Sequence, residues 1–250
     1  MGLTIASYGG GTNSTAMLIE CIRRAVKVDL ILFADTGAER PHTYAYVEMF
    51  HEWLVAHGMP PIRQVRNSGM YPSLEAECLK KNCLPSLAYG FKTCSQKWKI
   101  RPQDNYVKGL DWVQAAWSRG EKITKLIGFD ADEPQRAKDY EDEKFVARYP
   151  LIEWDMGRDE CIETIKAEGL CLPGKSACFF CPSSRQTEIR QLQAVYPELA
   201  DRALAIEAGA ELSQVKGLGR NFAWADLLAT ADMFGDFDST PELACGCYDG

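Results

Sequence analysis

Residues 3 to 19 constrain this chain more than any other stretch. Leu3 to Tyr8 is a short apolar run, Gly9-Gly10-Gly11 ends it, and Thr12-Asn13-Ser14-Thr15 leads into the apolar Ala16-Met17-Leu18-Ile19. That order reads as strand, glycine turn, helix cap and helix. Val28 to Ala34 is a second apolar run, interrupted only by Asp29 and broken at Asp35-Thr36-Gly37. Two strands joined through a helical stretch make a right-handed βαβ unit, so the strands are parallel and the expected class is α/β.

The pattern repeats. Val47, Phe50 and Leu54 fall on one helix face closed by Gly58 and Pro60, and Ile62 to Val65 follows as a third strand. A helix over Leu110 to Trp117 precedes a strand over Ile123 to Ile127, which breaks at Gly128-Phe129-Asp130-Ala131-Asp132-Glu133-Pro134. The expectation is a doubly wound parallel sheet, whose ligands bind at the carboxyl ends of the strands. The loops over residues 9–15, 35–43 and 128–136 all lie at such ends, and they are expected to converge on one pocket. Beyond Pro150 the character changes to a helix near 159–168, a cysteine-bearing loop over 170–182 and helical patterns to about 208. This divides the chain into an α/β region, 1–150, and a mainly helical, cysteine-bearing region, 151–250.

The net charge of −7 disfavours a sequence-blind nucleic-acid or membrane-surface binder. No charged leader with an apolar stretch opens the sequence and nothing in it approaches a membrane span, which gives the expectation of a cytoplasmic protein. Thiols stay reduced there, so the ten cysteines point first to metal binding or catalysis.

A glycine turn between strand and helix lets backbone N–H groups approach an anion while the helix dipole adds positive potential. Ser7, Gly9, Gly10, Gly11, Thr12, Asn13, Ser14 and Thr15 are therefore candidate phosphate-binding residues, against the plain alternative of a tight turn capped by Ser14 or Thr15. Asp132 and Glu133 have carboxylates suited to Mg²⁺ or a ribose hydroxyl, or they form a solvated acidic loop. Cys178-x-x-Cys181 has the spacing of a metal or cluster corner, with a redox dithiol as competitor and zinc as the alternative metal. Cys21, Cys78, Cys83 and Cys161 read as structural thiols, and the three histidines His42, His51 and His57 do not have the spacing of a metal site. Lys92, Lys97, Lys99, Arg101 and Lys108 interleave with Tyr89, Phe91 and Trp98, which suits nucleic acid or nucleotide phosphates, or a solvated loop.

Taken in order, these motifs resemble the phosphoadenosine phosphosulfate reductase-like family of the adenine nucleotide α-hydrolase superfamily. The glycine turn resembles that superfamily's phosphate loop, Ser-Gly-Gly-Lys-Asp-Ser, with Gly9, Thr12 and Asn13 standing where its first Ser, Lys and Asp would be. Phe33-Ala34-Asp35-Thr36-Gly37-Ala38-Glu39-Arg40-Pro41-His42-Thr43 resembles the second-strand motif, and Ile127 to Glu133 with Arg136 the later nucleotide-site loop. Cys94 with Lys97 to Pro102, and Cys178 to Pro182, resemble the cysteine motifs. The resemblance implies that Asp35 and Thr36 face the nucleoside, that Gly128, Asp132, Glu133 and Arg136 line the nucleotide site, and that Cys94, Cys178 and Cys181 hold a [4Fe–4S] cluster. The fourth ligand would be Cys247, Cys171, Cys245 or none. Cys245 and Cys247, in Ala-Cys-Gly-Cys-Tyr, are the candidate catalytic thiols. The implied activity is an ATP-dependent, adenylating sulfurtransferase acting on a nucleic-acid or small-molecule acceptor with a sulfur donor. The alternatives are a (phospho)adenylyl sulfate reductase served by a thioredoxin-like reductant, and a non-catalytic nucleotide- or metal-binding regulator.

Overall fold

The computed structural model describes residues 2–85, 87, 88, 91–138, 140–212 and 215–230, with backbone only at 87, 88, 91 and 92. Strand β1 (Thr4–Tyr8) is followed by α1 (Thr12–Arg23), β2 (Leu30–Asp35), α2 (Pro41–Ala56) and β3 (Ile62–Arg66). Next come α3 (Leu74–Lys81), the short antiparallel pair β4 (Leu87–Ala88) and β5 (Phe91–Lys92), and α4 (Thr93–Ser95). A π-helical turn, Gln96–Ile100, carries the chain into α5 (Arg101–Lys108) and α6 (Asp111–Ser118). Strands β6 (Ile123–Ile127) and β7 (Phe145–Arg148) precede α7 (Pro150–Glu153), α8 (Arg158–Ala167), α9 (Gln186–Val195), α10 (Pro197–Gly209) and α11 (Trp224–Ala229).

Five strands pair in parallel in the order β3-β2-β1-β6-β7, with Ile5 of β1 opposite both Leu30 and Lys125. The chain therefore steps outward on one side of β1 through β2 and β3, then returns to the other side for β6 and β7. Strand β7 was not foreseen in the sequence, because this edge strand is four residues long and only Phe145 of it is buried.

Alternation along the strands sends side chains to two faces, and each face has its own helices. Ala6, Tyr8, Ile31 and Phe33 pack with Met17 and Leu18 of α1, Phe50 and Leu54 of α2, and Cys161 and Ile165 of α8. Ile5, Leu32, Ala34 and Val65 pack on the opposite face with Val107 of α5 and Val113 and Ala116 of α6. Leu151 and Met156 belong to the first of these cores, so the packing does not change at residue 150. A third core joins Ala38, Leu74 and Cys78 to Trp98, Phe179, Phe180 and the helices α9 to α11. Glu207 ties its far end together: Oε1 accepts from the Leu218 and Trp224 amides at 2.6 and 2.9 Å, and Oε2 accepts from the Ala225 amide at 2.9 Å.

Candidate functional site

The glycine turn sits where strand order reverses, between β1 and β6, which is the ligand crevice of an open parallel sheet. Gly10 has φ +72°, and a Cβ there would lie 3.1 Å from Thr43 Cγ2 and 3.3 Å from Val47 Cγ2, so only glycine fits. Ser14 and Thr15 do not cap α1 in the expected way. Ser14 Oγ donates to the Gly11 carbonyl and accepts from the Gly9 amide, both at 3.1 Å, while Thr15 Oγ1 donates to the Gly11 carbonyl at 2.9 Å. They brace the turn from inside, and the first turn of α1 carries no acidic residue. Thr12 is buried. Ser7 lies apart from the turn: its Oγ donates to Gln103 Oε1 at 2.9 Å, tying β1 to α5.

The loop after β6 closes on this turn. A Cβ on Gly128 would lie 3.0 Å from both N and Cα of Ser14, so glycine here permits backbone-on-backbone contact. Asn13 Nδ2 donates to Asp130 Oδ2 at 2.7 Å, and Arg158 Nη1 donates to Asn13 Oδ1 at 2.8 Å. The carboxylates singled out from the sequence have local duties instead. Asp132 Oδ2 accepts from the Arg158 amide at 2.7 Å at the start of α8, and Glu133 pairs with Arg136, whose guanidinium lies 4.3 Å over the Phe129 ring. Asp130, passed over in the sequence, is the buried acid of the loop: it is 3% exposed and its Oδ1 has no partner. Its only sequence signal is that it is the first acidic residue after the strand.

Asp35 is spent on structure. Its Oδ1 accepts from the Gly37 amide and the Tyr44 hydroxyl, both at 2.7 Å, and its Oδ2 accepts from Gln64 Nε2 at 2.9 Å and pairs with Arg66 Nη2 at 2.6 Å. The first of these is an Asx turn closing the strand end. Hydrogen bonding to Asp35, burial, and its negative charge together push the Tyr44 hydroxyl up, burial being the largest influence. Thr36, also buried, places its hydroxyl 3.3 Å from Glu39 Oε1 and 3.2 Å from Cys178 Sγ.

The segment over 175–179 lies across the loops after β1 and β2. Ser176 Oγ donates to the Gly9 carbonyl, His42 Nε2 meets the Lys175 carbonyl at 3.2 Å, and the Phe179 amide donates to the Ala38 carbonyl at 2.9 Å. Cys178 is buried, and burial followed by the nearby Glu39 carboxylate pushes its thiol up, although Lys99 opposes this. Lys99 Nζ itself pairs with Glu39 Oε1 at 2.8 Å. Cys181 is half-buried one turn further on, its amide donating to the Cys178 carbonyl at 3.0 Å.

A four-iron cluster requires thiolates gathered around one centre. Among the described residues no group of three or more Cys, His, Asp or Glu side chains is placed to hold a metal ion. Cys94 is half-buried against the third core and acts electrostatically on Cys78, whose thiol burial and then Cys83 push up to about 12. Cys171 packs against the first core. The described thiols thus do not fit a cluster, and no step is derived through one. Cys245 and Cys247 lie outside the described residues.

In the basic and aromatic stretch, Trp98 turns inward. Trp98 is 1% exposed and its Nε1 donates to Glu77 Oε2 at 2.8 Å, while Lys97 and Lys81 both pair with Glu77 Oε1. Burial raises the Glu77 carboxyl, yet these three donors together hold it down to about 2. Trp98 thereby joins the third core, while Arg101 and Lys108 are exposed. Arg40, not singled out in the sequence, is 2% exposed, with Nε and Nη2 unpartnered.

No family model and no curated protein matches the chain. No helix among the described residues is long and apolar enough to cross a membrane.

Proposed function

We propose that this protein is an adenine-nucleotide-binding enzyme of sulfur metabolism, of the phosphoadenosine phosphosulfate reductase-like type, acting as an ATP-dependent sulfurtransferase. The observation that carries the reading is the glycine turn at the β1–β6 reversal, opened by Gly10 and held by Ser14 at the N-terminus of α1, whose first turn carries no acidic residue. Backbone amides of the turn bind the nucleotide phosphate. Asp130 is better suited than Asp132 or Glu133 to hold Mg²⁺ or a ribose hydroxyl, because its Oδ1 is buried and unpartnered. In the reaction an oxygen of the acceptor attacks the α-phosphorus of ATP, pyrophosphate leaves, and a sulfur nucleophile then displaces AMP from the adenylated acceptor.

A second reading, reduction of (phospho)adenylyl sulfate, is favoured by Thr12. This buried, uncharged side chain stands at the loop position where an ammonium would offset charge developing on a departing pyrophosphate. In that reaction a thiolate attacks the sulfate sulfur and expels the adenosine phosphate, and a thiol reductant then releases sulfite. Pyrophosphate release from ATP against sulfite release from adenylyl sulfate separates the two. AMP and ATP are expected to bind the wild-type chain and not a Gly10→Val variant; equal binding by both chains would overturn the site assignment.

A further inference from the structure

Arg40 ends the second-strand loop and is the residue immediately before α2, whose first helical residue is Pro41. A guanidinium stays charged in any protein environment, and burying one without a counter-charge is among the costliest placements a side chain can have. Arg40 is 2% exposed, and its two orphaned atoms are Nε and Nη2. These are the two donors on one side of the fork, spaced to meet two oxygens of one anion. The charged and titratable groups interacting with Arg40 include Glu188, Cys181, Tyr196, Glu39 and His42. Both carboxylates already have cations of their own, Glu188 with Lys175 at 3.0 Å and Glu39, through Oε1, with Lys99 at 2.8 Å, while Glu39 Oε2 is buried without a partner. Two hydroxyls are also buried without partners: Thr43 Oγ1, in the first turn of α2, whose amide donates to the Arg40 carbonyl at 2.9 Å, and Ser184 Oγ, whose amide donates to the carbonyl of Cys181, one of the groups acting on Arg40. Thr43 is the residue whose methyl group faces Gly10 of the glycine turn.

We propose that Arg40, with the Thr43 and Ser184 hydroxyls, forms a binding site for a tetrahedral oxyanion, a sulfate or phosphate group. The side-on fork takes two oxygens and the hydroxyls serve the others, a donor set that a planar carboxylate does not fill. The anion is either a free inorganic ion or a group carried on the nucleotide; only the second source rests on the nucleotide reading above.

Calorimetric titration and thermal melting of the full chain with sodium sulfate, AMP and adenosine 5′-phosphosulfate test this. Arg40→Gln is expected to lower affinity for sulfate or for the phosphosulfate by about tenfold or more, while the unliganded variant melts no lower than wild type, having lost an unpaired buried charge. Arg40→Lys keeps the charge and the fold but not the fork, and is expected to lose most of the same affinity. A loss seen with sulfate identifies a free ion; a loss confined to the phosphosulfate identifies a nucleotide-borne group. Unchanged affinities in both variants, no binding of any probe to wild type, or melting of unliganded Arg40→Gln several degrees below wild type would each overturn the proposal. AMP binding that persists in every variant without any anion effect would remove the Arg40 site and leave the nucleotide reading. Sulfate binding lost in Arg40→Gln, with no AMP binding to wild type, would do the reverse.

Discussion

Asn13 Nδ2 donates to Asp130 Oδ2 at 2.7 Å, joining the first turn of α1 to the loop after β6 across the point where the sheet reverses its order. The other end of the same amide accepts from Arg158 at 2.8 Å, so both its donor and its acceptor are used. An aspartate at position 13 would accept from Arg158 but would face Asp130 with like charge. Asn13→Asp is expected to destabilise the fold by roughly 2 kcal/mol. The Asn13→Asp, Asp130→Asn double variant is expected to recover part of that loss in a denaturant-melt cycle. Strict additivity of the two substitutions would show that the bond does not couple the loops.

Gly128 permits backbone contact with Ser14, and the added methyl of Gly128→Ala would meet N and Cα of Ser14 at 3.0 Å. Backbone yields less readily than a side-chain tip, so the loop after β6 has to move away from α1. The expected cost is about 1–3 kcal/mol of stability, together with weaker AMP binding in titration.

His42 is 2% exposed, and burial, with a smaller push from the Arg40 charge, depresses it from 6.5 to about 4 against its contact to the Lys175 carbonyl. Between these two values the unfolded chain binds the proton and the folded chain does not. Stability from this residue is therefore complete above about pH 6.5 and falls as the pH drops toward 4, by up to roughly 3 kcal/mol. Chemical denaturation across that range is expected to show the slope, and His42→Gln to flatten it.

Glu77 has the opposite chemistry and the same direction of pH dependence. Lys81, Lys97 and Trp98 hold it near 2 against the effect of burial, so its contribution is present above about 4.5 and lost as the pH falls through 2. Glu77→Ala leaves the buried Trp98 N–H without an acceptor and is expected to cost about 2–3 kcal/mol, whereas Glu77→Gln, which can still accept from the indole, is expected to cost less. Melting curves of the two variants at neutral pH give the comparison.

Four thiols are expected to resist alkylation. Burial pushes Cys21, Cys78 and Cys161 up to about 12, and it pushes Cys178 up as well, so none offers an appreciable thiolate near neutrality. Mass spectrometry after brief iodoacetamide treatment of the folded chain should find all four unmodified, with Cys83 and Cys181, which are more exposed, labelled ahead of them.

The centre of the sheet was legible because burial on both faces imposes a near-continuous apolar run, as in Leu30–Asp35, while Ile62–Arg66 and Ile123–Ile127 keep only spaced apolar residues, Ile62 with Val65 and Ile123 with Leu126, that must leave water. The glycine turn was legible for a related reason: a close backbone approach to a neighbouring helix admits only glycine, and three occur in succession at residues 9–11. What the sequence alone determined is therefore the α/β class, the parallel strands and the location of the turn, since each follows from local sterics and from which residues must leave water.

The roles of the charged side chains were decided elsewhere. Asp35 stands at a strand end where a nucleoside contact and an Asx turn look alike in sequence, and its partners Tyr44, Gln64 and Arg66 are brought in by α2 and β3, elsewhere in the chain. Lys97 and Trp98 belong to a stretch with the composition of a nucleic-acid surface, yet they turn inward because α3 places Glu77 beneath them. Arg40 carries no motif of its own and stands out only once its fork is seen to be buried while neighbouring carboxylates pair with Lys99 and Lys175. Whether a charge is free or spent depends on partners tens of residues away, and that pairing is a property of tertiary packing that no local pattern encodes.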